Sequence, residues 1–230
     1  MSGFNYKVRA RGKWDWQKFD TVRMEISVGQ EYHEGDKLRS AMDWARENFS
    51  KRVLIIGDAP QRYNLMFTQK ISEEEAYGIA MGAGEAWLAR NKQFLHDTEI
   101  THWDEWRNQA SYNTVQEQVI NLYNTDDDFY RTIQGAISGV WLRRYAGSTH
   151  NKDEFYSLSQ QYLLEETAVF AVAYEAIGGI SAYPGDFLKI WEMFIHANGN
   201  HIPPGLRKAH CARISFEKKR EIVVGQASRG

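Results

Sequence analysis

Three residues stand where their types and spacing could carry chemistry: Ser27, Tyr162 and Glu166. Ser27 lies in Met24-Glu25-Ile26-Ser27-Val28-Gly29-Gln30, where a strand-like run gives way to a glycine-containing loop. In open α/β sheets, ligands and reacting groups gather at the carboxyl ends of strands, the place for a nucleophilic hydroxyl. The local pattern E-x-S-x-G is only half of the G-x-S-x-G nucleophile elbow. By itself it also fits a loop serine that satisfies backbone groups. Further on, Phe155, Tyr162, Glu166, Val169 and Ala173 fall along one side of a helix, so a carboxylate is set into an apolar stripe. Burying that charge alone is costly; it must be paired with a cation, wetted at the stripe's edge, or part of a site. Tyr162 precedes it by one helical turn, and phenol and carboxylate could grip one small polar group together.

Other residue types exclude whole classes of chemistry. His33, His96, His102, His150, His196, His201 and His210 form no H-x-x-x-H or His-Glu spacing, and the single Cys211 allows no C-x-x-C, so no metal site is expected. There is no G-x-x-x-x-G-K-[ST] loop, and Gly82 and Gly84 fall inside a helical stretch, so neither ATP nor a dinucleotide cofactor is expected. The eight tryptophans are scattered, as packing residues would be.

The elements that must position Ser27 and Glu166 follow from periodicity. Residues 4–10 alternate as a strand with one wet face, Thr21 to Val28 is a second strand, and Val53 to Gly57 is a short β-branched run suited to a central strand. Between the last two, Leu38, Ala41, Met42, Ala45 and Phe49 mark a helix that Asp36 could cap. Strand, helix, strand in that order predicts a parallel α/β sheet. Ser72 and Glu75 form a capping box for a helix running to about Phe94. A short strand is expected at Glu99 to Trp103, helices at Tyr112 to Asn124 and Asp127 to Arg144, and a further helix capped by Asn151 and ended by Gly178-Gly179. Ile180 to Tyr183 then reads as a strand, Asp186 to Ala197 as a helix and Ala212 to Phe216 as the last strand.

At 230 residues and 43% hydrophobic, the chain can bury one substantial core, and a single domain over 1–230 is expected. Its apolar runs are far shorter than the roughly 20 residues of a membrane span, no secretory leader is visible, and the lone cysteine suits a reducing cytoplasm. A net charge of -2 lacks the basic excess of a dedicated nucleic-acid binder, so any RNA contact must come from local patches. Two are visible: Lys7, Arg9, Arg11 and Lys13 near the start, and six Lys/Arg between Arg207 and Arg220.

Taken in order, these residues resemble the cyclodipeptide synthases from about Tyr6 to the last strand. Ile26-Ser27-Val28-Gly29, Tyr32, Leu38, Trp44-Ala45, Phe49, Val53 and Asp58 are similar to the family's nucleophile strand, first helix and second strand. Tyr162-Leu163-Leu164-Glu165-Glu166 is similar to its Y-x-x-x-E helix, and Tyr183-Pro184 to its second tyrosine. Gln30 and Tyr183-Pro184 resemble the subgroup known by the pattern X-Tyr-Pro. The resemblance implies a Rossmann-like α/β domain, a mostly parallel sheet flanked by helices, akin to the catalytic domains of class I tyrosyl- and tryptophanyl-tRNA synthetases.

It also implies a reaction: two aminoacyl-tRNAs joined into a cyclic dipeptide by a ping-pong route through aminoacyl-Ser27. Tyr162 and Glu166 would hold the first substrate's amine and Tyr183 would move protons near Ser27, with no cofactor and a monomeric enzyme expected. Gly29 and Gln30 belong to the substrate loop. Glu25 replaces a glycine common in the family, which implies a first amino acid that is polar or cationic. Arg90 and Lys92, with the two terminal patches, are candidates for tRNA phosphates. Three rivals remain: a serine acyl hydrolase, which needs a histidine within reach of Ser27; a non-catalytic RNA-binding relative of a synthetase domain; and a purely structural or partner-binding α/β domain, which would leave Tyr162 and Glu166 without a purpose.

Overall fold

A computed structural model describes residues 6–185, 190–195, 197 and 199–218. In chain order its elements are β1 (Tyr6–Arg11), β2 (Thr21–Ser27), α1 (Gly35–Asn48), β3 (Lys51–Gly57), α2 (Gln61–Gln69), α3 (Glu73–Asn91), β4 (Glu99–His102), α4 (Trp103–Arg107), α5 (Tyr112–Thr125), α6 (Asp127–Arg144), α7 (Lys152–Ile177), β5 (Ile180–Tyr183), α8 (Ile190–Met193) and β6 (Cys211–Lys218). The six strands make one sheet in the order β1-β6-β5-β2-β3-β4. All neighbours are parallel except β1, which runs antiparallel to β6. From β4 to β6 the strands stand third, second, first, fourth and fifth among the parallel set, the doubly wound order of a Rossmann-like sheet. The order reverses between β2 and β5, where such sheets open a crevice.

The two faces of the sheet divide by the period of two along each strand. Val22, Met24 and Ile26 pack with Leu38, Met42 and Trp44 of α1 and Trp87 of α3. Arg23, Glu25 and Ser27 point the other way, toward the layer that includes α5, α6 and α7. A one-residue slip of β2 would exchange these sets and bury the wrong ones, so the hydrophobic pattern fixes the register. In β3, Val53 to Ile56 are all buried, as a central strand covered on both faces requires.

α7 is the central helix. Asn151 caps it by accepting from the backbone N–H groups of Asp153 and Glu154, and Gly178, at φ +68°, ends it. From Thr167 to Tyr174 it is buried on every side. α3 starts at its Ser72 cap as expected, but turns into a 3-10 turn at Lys92–Phe94. Its first half sends Tyr77 and Met81 to the α7 side and its second half sends Trp87 to the other core. At the crossing, a Cβ on Gly84 would stand 2.7 Å from the Cβ of Asp58, so only glycine lets α3 pass the end of β3.

Some expectations needed correction. α1 begins at Gly35 with Glu34 at its cap, and Asp36 sits inside the first turn paired with Arg39 at 2.9 Å. The last strand is longer than expected, Cys211–Lys218. Of the helix expected over Asp186 to Ala197, α8 is described; residues 186–189, with 196, 198, 1–5 and 219–230, lie outside the described residues. α2 was not anticipated: it is only nine residues long, and one of its three buried positions, beside Tyr63 and Phe67, is held by an arginine.

That residue, Arg62, is buried against Glu165 of α7. Its Nη1 and Nη2 donate to Oε1 and Oε2 at 3.0 and 2.5 Å, and Glu165 also accepts from Trp103 Nε1 at 2.9 Å and the Tyr63 hydroxyl at 3.0 Å. Burial pushes the Glu165 carboxyl up, but Arg62 outweighs it and the net shift is downward. Removing one partner of a buried ion pair leaves the other charge stranded. R62M is therefore expected to cost about 3–5 kcal/mol in urea unfolding, while R62M/E165M, which removes both members of the buried pair, should recover part of the loss.

Candidate active site

The reversal between β2 and β5 brings the expected nucleophile and the second tyrosine together. Ser27 ends β2 and Tyr183 ends β5, and Ser27 Oγ and the Tyr183 hydroxyl hydrogen bond at 3.0 Å. The Tyr183 hydroxyl also meets that of Tyr32 at 3.0 Å, giving a chain of three hydroxyls. Burial, with Tyr32 beside it, holds the Tyr183 phenol well above its usual range, so it stays a proton donor at neutral pH. After Ser27 the chain turns back, with Gln30 N–H donating to the Ser27 carbonyl at 3.2 Å and Gly29 at φ +88°. A 3-10 turn, Glu31–His33, follows before α1, so this is not the strand-to-helix elbow of the hydrolases.

A histidine does lie beside the serine, but on the wrong atom for a hydrolase triad. The Ser27 backbone N–H donates to His33 Nδ1 at 2.9 Å, so this nitrogen is an acceptor toward the backbone rather than a base for Oγ. Burial pushes the His33 imidazole down to about 4, and it is neutral under ordinary conditions. Sequence reasoning treated His33 as packing; nothing in its spacing reveals the contact.

Across from Ser27, α7 contributes Tyr162 and Glu166 to the same cavity, about 360 Å³, whose lining also includes Glu25, Tyr32, Tyr174 and Tyr183. Gln61 of α2 approaches the Tyr162 hydroxyl at 3.5 Å. Glu165 and Glu166 are consecutive, yet their fates are opposite. Glu165 has Arg62; among the described residues Glu166 has no ion-pair partner, and burial, with Glu25 nearby, raises its carboxyl to about 8. Glu25, 7% exposed, receives hydrogen bonds on Oε1 from the Tyr174 hydroxyl at 2.8 Å and Ser181 Oγ at 2.7 Å, which leaves Oε2 to the cavity. Beneath it Arg23, fully buried, donates to Ser181 Oγ at 3.3 Å and to the Gly178 carbonyl at 2.6 Å and stacks on Tyr174. The inner chamber therefore has an acidic floor.

No family model matches the sequence, and a comparison with curated proteins finds no match. Solved structures do match. A CDPS from Fluoribacter dumoffii matches with a TM-score of 0.81 and 25% identity over 94% of this chain and 100% of that one. The chain shares the fold of solved cyclodipeptide synthases. One from Candidatus Glomeribacter gigasporarum, bound to Phe-tRNAPhe, matches with a TM-score of 0.64 and 20% identity over 91% and 93% of the two chains. A Mycobacterium tuberculosis protein, whose structure is described as relating cyclodipeptide synthetases to type I tRNA synthetases, matches with a TM-score of 0.67 and 14% identity over 95% and 96%.

The remaining candidates are placed less uniformly. Gln30 lines a second, outer chamber of about 640 Å³ that shares Ser27, Tyr32, Tyr162 and Tyr183 with the inner one. Gly29 is exposed on the turn and lines neither chamber. Arg90 and Lys92 are exposed at the end of α3, away from both linings, with Arg90 tied to Glu34 at 2.9 Å. The terminal patches converge: Arg11 pairs in register with Arg213, and Arg213 with Tyr183, so Lys7, Arg9, Arg11 and Arg213 extend the Ser27 face of the sheet as exposed side chains. Lys219 and Arg220 lie outside the described residues. Two further arginines, Arg143 and Arg144, line both chambers and escaped sequence reasoning.

The raised Glu166 carboxyl has a consequence for stability. A carboxyl whose folded pKa exceeds its unfolded value favours the native state fully below the unfolded value, and that contribution is lost as pH rises through the folded value. From the ordinary 4.5 to about 8, native protein should weaken with pH on this account. E166Q, which carries no such charge, should gain thermal stability over the wild type progressively from pH 5 to 8.5; parallel melting curves at all pH values would refute the assignment.

Proposed function

We propose that this chain is a cyclodipeptide synthase that joins the amino acids of two aminoacyl-tRNAs through an aminoacyl-Ser27 intermediate. The observation that carries this reading is the meeting, at the sheet's switch point, of Ser27 Oγ with Tyr183 at 3.0 Å in one cavity with Tyr162 and Glu166. Support also comes from the fold shared with cyclodipeptide synthases, one of them bound to Phe-tRNAPhe. The position of His33 on the Ser27 N–H speaks against an acyl hydrolase.

Chemically, an aminoacyl ester is already activated. Ser27 Oγ attacks its carbonyl, the bond to the ribose oxygen breaks, and the serine proton leaves while that ribose oxygen gains one, a near-isoenergetic exchange of esters. Tyr183 and Tyr32 offer a hydroxyl path for protons, and the neighbouring ribose hydroxyl assists. Tyr162 and Glu166 hold the α-amino group. A carboxyl raised to about 8 is matched to an α-amine, whose ordinary value is about 7.7–8.0, so a proton moves between them at little cost. The second substrate's amine then attacks the Ser27 ester, giving up a proton to Glu166. An amide forms, Ser27 recovers its proton, and a dipeptidyl-tRNA results. The first residue's amine finally attacks the remaining ester, closing the ring and releasing tRNA.

Gln30 and Tyr183-Pro184 assign the chain to the X-Tyr-Pro subgroup. Glu25, with Oε2 turned to the inner chamber, favours a first amino acid whose side chain is cationic or donates hydrogen bonds. Arg90, Lys92 and the converged strip of Lys7, Arg9, Arg11 and Arg213 are read as contacts to the tRNA body, weak and salt-sensitive.

Mass spectrometry of medium from bacteria producing this chain, beside an S27A control, tests the reading. A cyclic dipeptide absent from the control is expected, with one residue polar or basic. Identical spectra with soluble protein present would reject the activity, and a product made only of leucine or phenylalanine would reject the role of Glu25.

A further inference from the structure

We propose that Arg143 and Arg144 seat the 3′-terminal phosphodiester of the RNA whose aminoacyl end occupies the inner chamber. The inference deepens the aminoacyl-tRNA reading and rests on it. Both arginines lie in the last turn of α6, and both border the inner and outer chambers. Both are exposed, and among the described residues neither guanidinium has an ion-pair or hydrogen-bond partner. A basic last turn suits the helix dipole. The dipole accounts for charge there; it does not account for two unpartnered guanidiniums bordering both chambers beside Ser27. Arg143 lies back over its own helix, with Nη1 3.5 Å from where a Cβ on Gly139 would be, and Gly139 itself lines the outer chamber.

Charge gives the site a direction. The floor of the inner chamber holds the Glu25 carboxylate, which would repel a phosphate, beside the protonated Glu166, which offers it no cation. At the rim, the forked donors of two arginines match a phosphodiester. An aminoacylated 3′ end has the complementary polarity, an amine at its tip and a phosphodiester one ribose away. The amine is drawn inward, the phosphodiester stays between the chambers, and the ester is left at Ser27. Because the arginines face both chambers, the same pair serves the first and the second substrate in turn.

The test compares binding of two labelled, unacylated RNA minihelices, one ending in CCA and one lacking those three nucleotides, by wild type and R143A/R144A. Wild type should prefer the CCA-ended RNA. The double variant should lose about tenfold in affinity for it, with a log-log salt slope shallower by about 0.7 for the one phosphate neutralised, and should bind the shortened RNA unchanged. Lysine at both positions should restore part of the preference. Equal binding of the two RNAs by wild type, or an equal loss on both in the variant, overturns the proposal. Acylation of Ser27 by aminoacyl-tRNA, followed by intact-protein mass, is read separately. Its absence in wild type would reject the synthase reading while the binding comparison still decides the role of the arginines.

Discussion

β2 is paired on both sides and covered on both faces, so its odd-numbered residues can point only at the layer containing α7. From that constraint the site follows. Arg23 goes deepest and satisfies the Gly178 carbonyl at the end of α7 and those of Lys208 and His210 before β6; Glu25 rests above it on Ser181 and Tyr174; Ser27 emerges where pairing ends. Because β5 lies next to β2 in parallel with Arg23 opposite Ser181, Tyr183 stands on the same face and its hydroxyl reaches Ser27, the proposed nucleophile, without any local motif to arrange them.

α7 answers this face with two adjacent glutamates that differ only in what opposes them. Glu165 meets Arg62 and is a structural anion, locked by hydrogen bonds from Trp103 and Tyr63. Glu166, about 100° further round the helix, meets the cavity and the carboxylate of Glu25, and holds its proton to about pH 8. The fold thus spends stability on one carboxylate to keep it reactive and recovers it on its neighbour. The hydroxyl chain Ser27–Tyr183–Tyr32 and the neutral His33 on the Ser27 N–H complete a site whose groups are poised by burial.

Much of this was legible in one dimension because it depends on local physics. Alternation marked β1, a β-branched run marked β3, caps marked α3 and α7, the glycine pair ended α7, and a carboxylate inside an apolar stripe singled out Glu166. α2 stayed hidden because it is short and one of its three buried residues is Arg62, whose partner lies 103 positions away. A buried charge looks polar in a sequence until its counter-charge is known.

The sequence by itself determined the elements, the parallel α/β class and the residues unlikely to be tolerated without a purpose, because strand and helix periods and capping are properties of neighbouring residues. Only the tertiary structure decided which of two consecutive glutamates is neutralised, which histidine touches Ser27 and on which atom, that the terminal basic runs share one face, and that Arg143 and Arg144 border both chambers. Those facts depend on strand order and helix packing between distant segments, and no local spacing encodes a distance across the sheet.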